Sequence, residues 1–132
     1  MQDLKVSLIQ TELFWENKNQ NLELFSSIIN AVDEPTDIIV LPEMFTTGFS
    51  MQPEKLAENM NGKTVQWMLQ RAKEKNAVIV GSIIIEEENK FFNRLLWVQP
   101  NGKMFQYNKR HLFTLSAEEK HYSAGKEKLI VD

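Results

Sequence analysis

Two residues in this chain sit where their side chains could do chemistry, Glu43 and Lys109. Glu43 lies in Asp37-Ile-Ile-Val-Leu-Pro-Glu43-Met-Phe-Thr-Thr-Gly-Phe49, just past a short, wholly apolar run. Such a run, bounded by polar and Pro/Gly signals, reads as a buried strand. In open α/β sheets, ligands gather in the crevice at the carboxyl ends of the strands. A carboxyl enclosed there by apolar side chains is held toward its protonated form and suits a general base near neutral pH. Met44, Phe45 and Phe49 are neighbours bulky enough to exclude water. Lys109 lies in Tyr107-Asn-Lys109-Arg-His-Leu-Phe113. A fixed cation can stabilise the oxyanion formed when an amide carbonyl is attacked. Each residue alone also has a plainer reading: a solvated glutamate after a strand, and a lysine that keeps a sheet edge soluble. Met44, Phe45 and Phe49 can likewise be ordinary core.

The remaining candidates are weaker. His111 beside Lys109 is a possible base, but His111 and His121 lack metal-ligand spacing, and a plain hydrogen bond is the expected role of each. Glu118 and Glu119 lie in Ser116-Ala-Glu-Glu-Lys-His-Tyr122, which reads as a helical turn with an N-cap serine and solvated acids. Alternatively, a glutamate facing Lys109 would hold its ammonium in place. Glu86 to Glu88 reads as solvated surface, and Gly81-Ser82 as a packing position within a strand. The chain has no G-x-G-x-x-G, no P-loop and no G-x-S-x-G elbow.

The elements that would position these residues follow from periodicity. Leu4 to Gln10 alternates as a strand. Asn17 to Val32 carries Leu22, Phe25, Ile28, Ile29 and Val32 at helical spacing, with Asn17, Asn19 and Asn21 as candidate caps and Pro35 as the stop. Asp37 to Leu41 is the buried strand. Gly62 to Asn76 is an amphipathic helix with Val65, Met68, Leu69 and Ala72 on one face and Lys73 and Lys75 in its last turn. Ala77 to Ile85 and Phe91 to Gln99 are strands flanking the charged turn Glu86 to Lys90. Asn101-Gly102 signals a tight hairpin into Met104 to Asn108. Leu129 to Val131 reads as the start of a further strand. The order β-α-β-α-β-β-β predicts an α/β mixed sheet, parallel first and antiparallel later, with helices on one face. Its other face also reads apolar, so more cover is needed than the chain supplies.

Composition narrows the class. The 132 residues, 42% hydrophobic and 25% charged, suit one globular domain. A net charge of −3 with interspersed lysines and arginines argues against nucleic acid as a partner. No apolar stretch reaches membrane-spanning length, and Met1-Gln-Asp-Leu-Lys5 has no signal-peptide character. The expectation is a cytoplasmic protein with no membrane partner. The absence of cysteine excludes disulfides, thiolate zinc sites and a cysteine nucleophile within these residues.

Taken together, Leu41-Pro-Glu43-Met-Phe-Thr-Thr-Gly-Phe49 and Tyr107-Asn-Lys109-Arg-His-Leu-Phe113 resemble the base and lysine motifs of the nitrilase superfamily of carbon–nitrogen hydrolases. Asn93 and the Asn101-Gly102 hairpin also fit, so the resemblance runs through the whole chain. Its wording is closest to the omega-amidase branch, whose substrates are ω-amides of 2-oxo dicarboxylic acids such as 2-oxoglutaramate. The resemblance implies an α-β-β-α sandwich, of which residues 1–132 supply roughly the N-terminal half. It implies a Glu-Lys-Cys triad in which Glu43 is the general base, Lys109 stabilises the oxyanion and the cysteine thiolate forms an acyl-enzyme. Glu118, seven residues before Gly125, matches the family's second glutamate as a supporting residue. Phe45, Phe49 and Phe113 are the expected substrate-contacting aromatics. No cofactor and no metal are implied. A small-molecule amide substrate and a homo-oligomer are.

The chain departs from the family pattern at the nucleophile. The resemblance puts the cysteine after the strand beginning near Leu129, past Asp132, so the 132-residue chain alone is expected to be inactive. Two further readings stand beside the omega-amidase-like one. One is another amidase of the superfamily, such as a carbamoyl-amine hydrolase. The other is a catalytically dead half-domain serving as a binding or assembly module.

Overall fold

A computed structural model describes residues 3–132. Among them, five strands form one sheet in sequence order: β1 (Val6–Leu8), β2 (Ile38–Val40), β3 (Val78–Glu87), β4 (Lys90–Val98) and β5 (Met104–Asn108). β1, β2 and β3 pair in parallel through two helical crossovers, whereas β3–β4 and β4–β5 are antiparallel. The crossover helices are α1 (Lys18–Asn30) and α3 (Lys63–Lys75), with a single turn, α2 (Pro53–Leu56), before the latter. A 3-10 turn at Thr114–Ser116 leads into α4 (Glu118–His121).

Local chemistry explains most element boundaries. Asn17 caps α1, its side chain accepting from the Gln20 N–H. Asn76 ends α3 in the left-handed conformation (φ 49°), which asparagine tolerates better than most residues. Lys75 in the last turn of α3 donates to the Val32 carbonyl at 2.9 Å. The charged turn is tighter than its composition suggests. Only Glu88 and Asn89, both at positive φ, lie between the paired residues Glu87 and Lys90. The hairpin at Asn101-Gly102 is a three-residue loop with Gly102 at φ +86°, closed by Gly102 N–H to Gln99 O and Gln99 N–H to Lys103 O.

Three expectations are corrected. Residues 129–131 form no strand, and Ile130 is exposed; among the described residues no strand pairs with them. Ser116 does not cap α4. It lies in the preceding 3-10 turn and donates to Phe113 O, while Ala117 at φ +59° starts the helix. Glu87 is not simply solvated, because it pairs with the fully buried Arg94 guanidinium at 2.8 Å. The Arg94 hydrogen bond holds the Glu87 carboxyl below the usual carboxylate value, against a smaller opposing effect of burial. The α2 turn was not expected, since four residues are too short for a periodic signal.

Strand register sorts the side chains into two faces. Leu22, Phe25 and Ile29 of α1 and Val65, Met68 and Ala72 of α3 pack with Ile39, Ile79, Ile83, Ile85, Leu96 and Val98 of the sheet. On the opposite face, Met44, Ile84 and Tyr122 form a smaller core with Phe49, Met51, Leu56, Phe91 and Leu112. The loop after β2 and the segment after β5 therefore cover one end of that face. The other end stays open, with Val6 and Leu8 46% and 76% exposed.

Candidate active site

Glu43 owes its position to the way β2 runs into its loop. The Leu41 N–H donates to Val80 O at 2.7 Å, extending the β2–β3 pairing by one residue. Met44 then turns at φ +47°, its N–H held by the Ser82 hydroxyl at 2.9 Å, and the Phe45 N–H reaches Ser82 O. Gly81 makes room for this turn: a Cβ there would lie 2.9 Å from the Phe45 ring and 3.1 Å from the Leu41 Cβ. Gly48, at φ +75° under the Trp15 ring, closes the loop through its N–H to Met44 O. The buried Asn21 ties the loop to α1, donating to Thr46 O at 2.8 Å and Phe14 O at 2.7 Å while accepting from the Phe14 N–H. A loop with so many of its backbone groups satisfied is a rigid support.

Lys109 is the residue after β5, and its backbone is clamped on both sides. Its N–H donates to Asn93 O, and its carbonyl accepts from Gly125 N–H, both at 2.9 Å. Its ammonium lies 2.8 Å from Glu43 Oε1 and 3.0 Å from Glu118 Oε2, and 5.1 Å from the centre of the Phe49 ring. Glu118 on α4 has no exposed side-chain surface, and its Oε2 also accepts the Phe113 N–H at 2.7 Å. The fold thus brings together Glu43, Lys109 and Glu118 from three separate segments. Burial pulls the Lys109 ammonium down, but its hydrogen bonds and charge interactions with both glutamates outweigh this and hold it above the ordinary lysine value. The Tyr122 phenol is pushed well up, first by burial and then by the negative charges of Glu118, Glu54 and Glu16.

Two expectations about this site need revision. The enclosure expected for Glu43 is not present, since its side chain is 49% exposed. Phe45 does not reach the cleft. It is fully buried on the helix side, edge-on to Phe25 at 5.4 Å and tilted against Trp67 at 5.8 Å. Its size suits the gap left by Gly81, and this took it into the core. Phe49 and Phe113 do lie at the site, their ring centres 6.4 Å apart. His111 lines the same hollow, with Glu43, Lys109 and Leu112, while Glu119 and His121 are exposed on α4 outside the cluster.

A second hollow of about 250 Å³ adjoins the cluster on the open face of the sheet, lined by Val40, Val80, Leu95 and Tyr107 beside Glu43, Asn93 and Lys109. Beyond that cluster its lining is mainly apolar, with Ser82 and Tyr107 adding hydroxyl groups, as small-molecule sites commonly are. Asn93 was not expected as a site residue. It is 2% exposed, and its side-chain amide lies 2.7 Å from Glu43 Oε1. A signal for it exists in the sequence: an asparagine amid the apolar residues of a strand is disfavoured unless its amide is hydrogen-bonded. Chemically, the arrangement offers a carboxylate able to exchange a proton and an ammonium with one of its three N–H groups left for a substrate oxygen.

The structure therefore sets a glutamate and a lysine in contact at one end of a mixed sheet with helices on one face. Residues 5–131 match the carbon-nitrogen hydrolase family, and the chain belongs to that family. Its similarity falls on the omega-amidase-like branch. It is 40% identical to omega-amidase YafV of Escherichia coli (strain K12), over 100% of this chain and 51% of that protein. It is 26% identical to 2-oxoglutaramate amidase of Bacillus subtilis (strain 168), over 92% and 48%. Among solved structures, it superposes with a TM-score of 0.95 and 39% identity on XC1258 from Xanthomonas campestris, a CN-hydrolase superfamily protein with an arsenic adduct in its active site, covering 100% of this chain and 50% of that one. Nit3 of Saccharomyces cerevisiae, of branch 10 of the nitrilase superfamily, follows the same fold with a TM-score of 0.84 and 28% identity, over 94% and 49%. The chain spans about half the length of these relatives.

Proposed function

We propose that this chain supplies the base and the lysine of an omega-amidase-like hydrolase acting on a small carboxamide of the 2-oxoglutaramate type. The observation that carries this reading is the contact of Lys109 with both Glu43 and Glu118, beside an apolar hollow, in a member of the carbon–nitrogen hydrolase family. Glu43 acts as general base, Lys109 stabilises the tetrahedral oxyanion and Glu118 supports the lysine. Phe49 and Phe113 contact the substrate. Glu43 takes the proton of a cysteine thiol, the thiolate attacks the amide carbon, ammonia leaves, and water activated by the same glutamate releases the acid. No cysteine occurs among the 132 residues, so this half of the domain alone forms no acyl-enzyme. Matches that span about half of each relative support the reading as the N-terminal part of one hydrolase domain.

The active form is a homo-oligomer in the cytoplasm. Among the described residues, no helix is long and apolar enough to cross a membrane. The intact mass of the protein isolated from its source, followed by ammonia release from 2-oxoglutaramate, tests the proposal. A species well above 15.4 kDa that contains a cysteine and releases ammonia is the expected result. Hydrolysis by the pure 132-residue chain would overturn the assignment of the nucleophile. A longer, cysteine-containing species that releases no ammonia from any ω-amide would overturn the substrate class.

A further inference from the structure

We propose that Asn93 is the positioning residue of the site, and that it selects Oε2 of Glu43 as the oxygen that exchanges the proton. The inference rests on the reading of Glu43 as the base. Asn93 sits within β4, opposite Ile84, almost fully buried. Its Nδ2 lies 2.7 Å from Glu43 Oε1 and 3.5 Å from Glu118 Oε1, and its backbone carbonyl accepts the Lys109 N–H at 2.9 Å. One residue of a rigid strand therefore touches all three members of the cluster.

The amide has two N–H donors and there are two carboxylates, so both can be served at once. Glu43 needs this help more than Glu118 does. It stands on a loop with its side chain 49% exposed, and an ion pair with Lys109 alone would hold it weakly against solvent. With Lys109 and Asn93 both donating to Oε1, that oxygen is occupied. Oε2 has no protein donor among the described residues and keeps its lone pairs. When the thiol S–H bond breaks, its electron pair stays on sulfur and the proton goes to Oε2. The same oxygen returns it to the departing nitrogen. A carboxylate free to rotate would offer either oxygen and lose the ammonium as it turned.

The proposal is testable by NMR without any turnover, in the full product of the gene that encodes these residues. In the wild-type chain, the Asn93 side-chain amide protons should shift as the pH is lowered through the carboxylate range. In E43Q, the larger part of that shift should vanish. An Asn93 amide that moves identically in both would overturn the proposal. The second readout is the Lys109 Nζ resonance in [15N]lysine-labelled protein, titrated upward in pH. In N93A, its midpoint should fall most of the way to the value in E43Q, because Glu43 leaves the ammonium. A folded N93A with the wild-type midpoint would also overturn it. Should N93A fail to fold, the E43Q comparison still decides, since Glu43 is half exposed and its replacement leaves the core intact. Absence of amidase activity would bear on the proposed function alone, and leave both readouts standing.

Discussion

One row of paired residues crosses the five strands as Ser7, Ile39, Ile79, Val98 and Met104, and the next as Leu8, Val40, Val80, Trp97 and Phe105. Both rows are mainly apolar, yet they meet different surroundings. Ile39, Ile79 and Val98 in the first are fully buried beneath α1 and α3. In the second, Leu8 is 76% exposed, and Val40, Trp97 and Phe105 are only partly covered. The same β-forming chemistry thus makes a finished core on one side and an unfinished one on the other. The site lies where the two conditions meet. Loop residues 44–57 and segment 112–122 close one end of the second face, and Glu43 and Lys109 stand at the margin of that cover, beside the open hollow.

The largest expected effect comes from emptying the finished side. Ile83→Ala, at a fully buried position, should cost about 2–5 kcal/mol through lost burial and an uncollapsed cavity, read from chemical denaturation. A cost near that of a surface substitution would mean that the helix side is packed more loosely than its burial implies.

Overfilling the same side should follow. Gly81→Ala drives a methyl group into the Phe45 ring and the Leu41 Cβ, at about 1–3 kcal/mol. It should also disturb the Glu43 loop, so the Lys109 resonance should move with the loss of stability. A destabilised protein with an unmoved Lys109 would separate the core from the site.

At the margin, the expected effect is pH-dependent. The folded value of Lys109 lies above its ordinary one. Its contribution to stability is therefore fully present below the ordinary lysine value and is lost as the pH rises through the raised folded value. Replacement of its buried partner, Glu118→Gln, should lower the Lys109 midpoint and shift the alkaline loss of stability to lower pH. An unchanged alkaline limb would show that Glu43 alone sustains the raised value.

The smallest effect belongs to the open side. Leu8→Ala should change stability by no more than about 0.5 kcal/mol in the isolated chain, as for other surface substitutions. A loss of several times that would mean that a second body covers this face in solution, and light scattering would identify it by its mass.

Much of this architecture is legible in the sequence. Periodicity locates the helices around Phe25 and Met68, and the β-branched runs locate the strands, because burial of one stripe or face is a repeating demand on the chain. The lack of a polar side at Ile38-Ile-Val40 and Ile83-Ile-Ile85 announces a face needing extra cover. The two motifs and the glutamate that follows them single out Glu43, Lys109 and Glu118. Other features are set by packing, which has no period. That Phe45 enters the core while Phe49 stays at the site depends on the space above Gly81. That residues 129–131 form no strand depends on the absence, among the described residues, of a strand that pairs with them. The half exposure of Glu43 and the contacts of Asn93 with three charged residues depend on strand register and loop closure. By itself, the sequence determined which elements form and which residue types are available for chemistry, since these follow from local preference and periodicity. Only the tertiary structure decided which oxygen, ammonium and amide meet within hydrogen-bond distance, because those contacts join segments far apart in the chain and exist only once the sheet is in register.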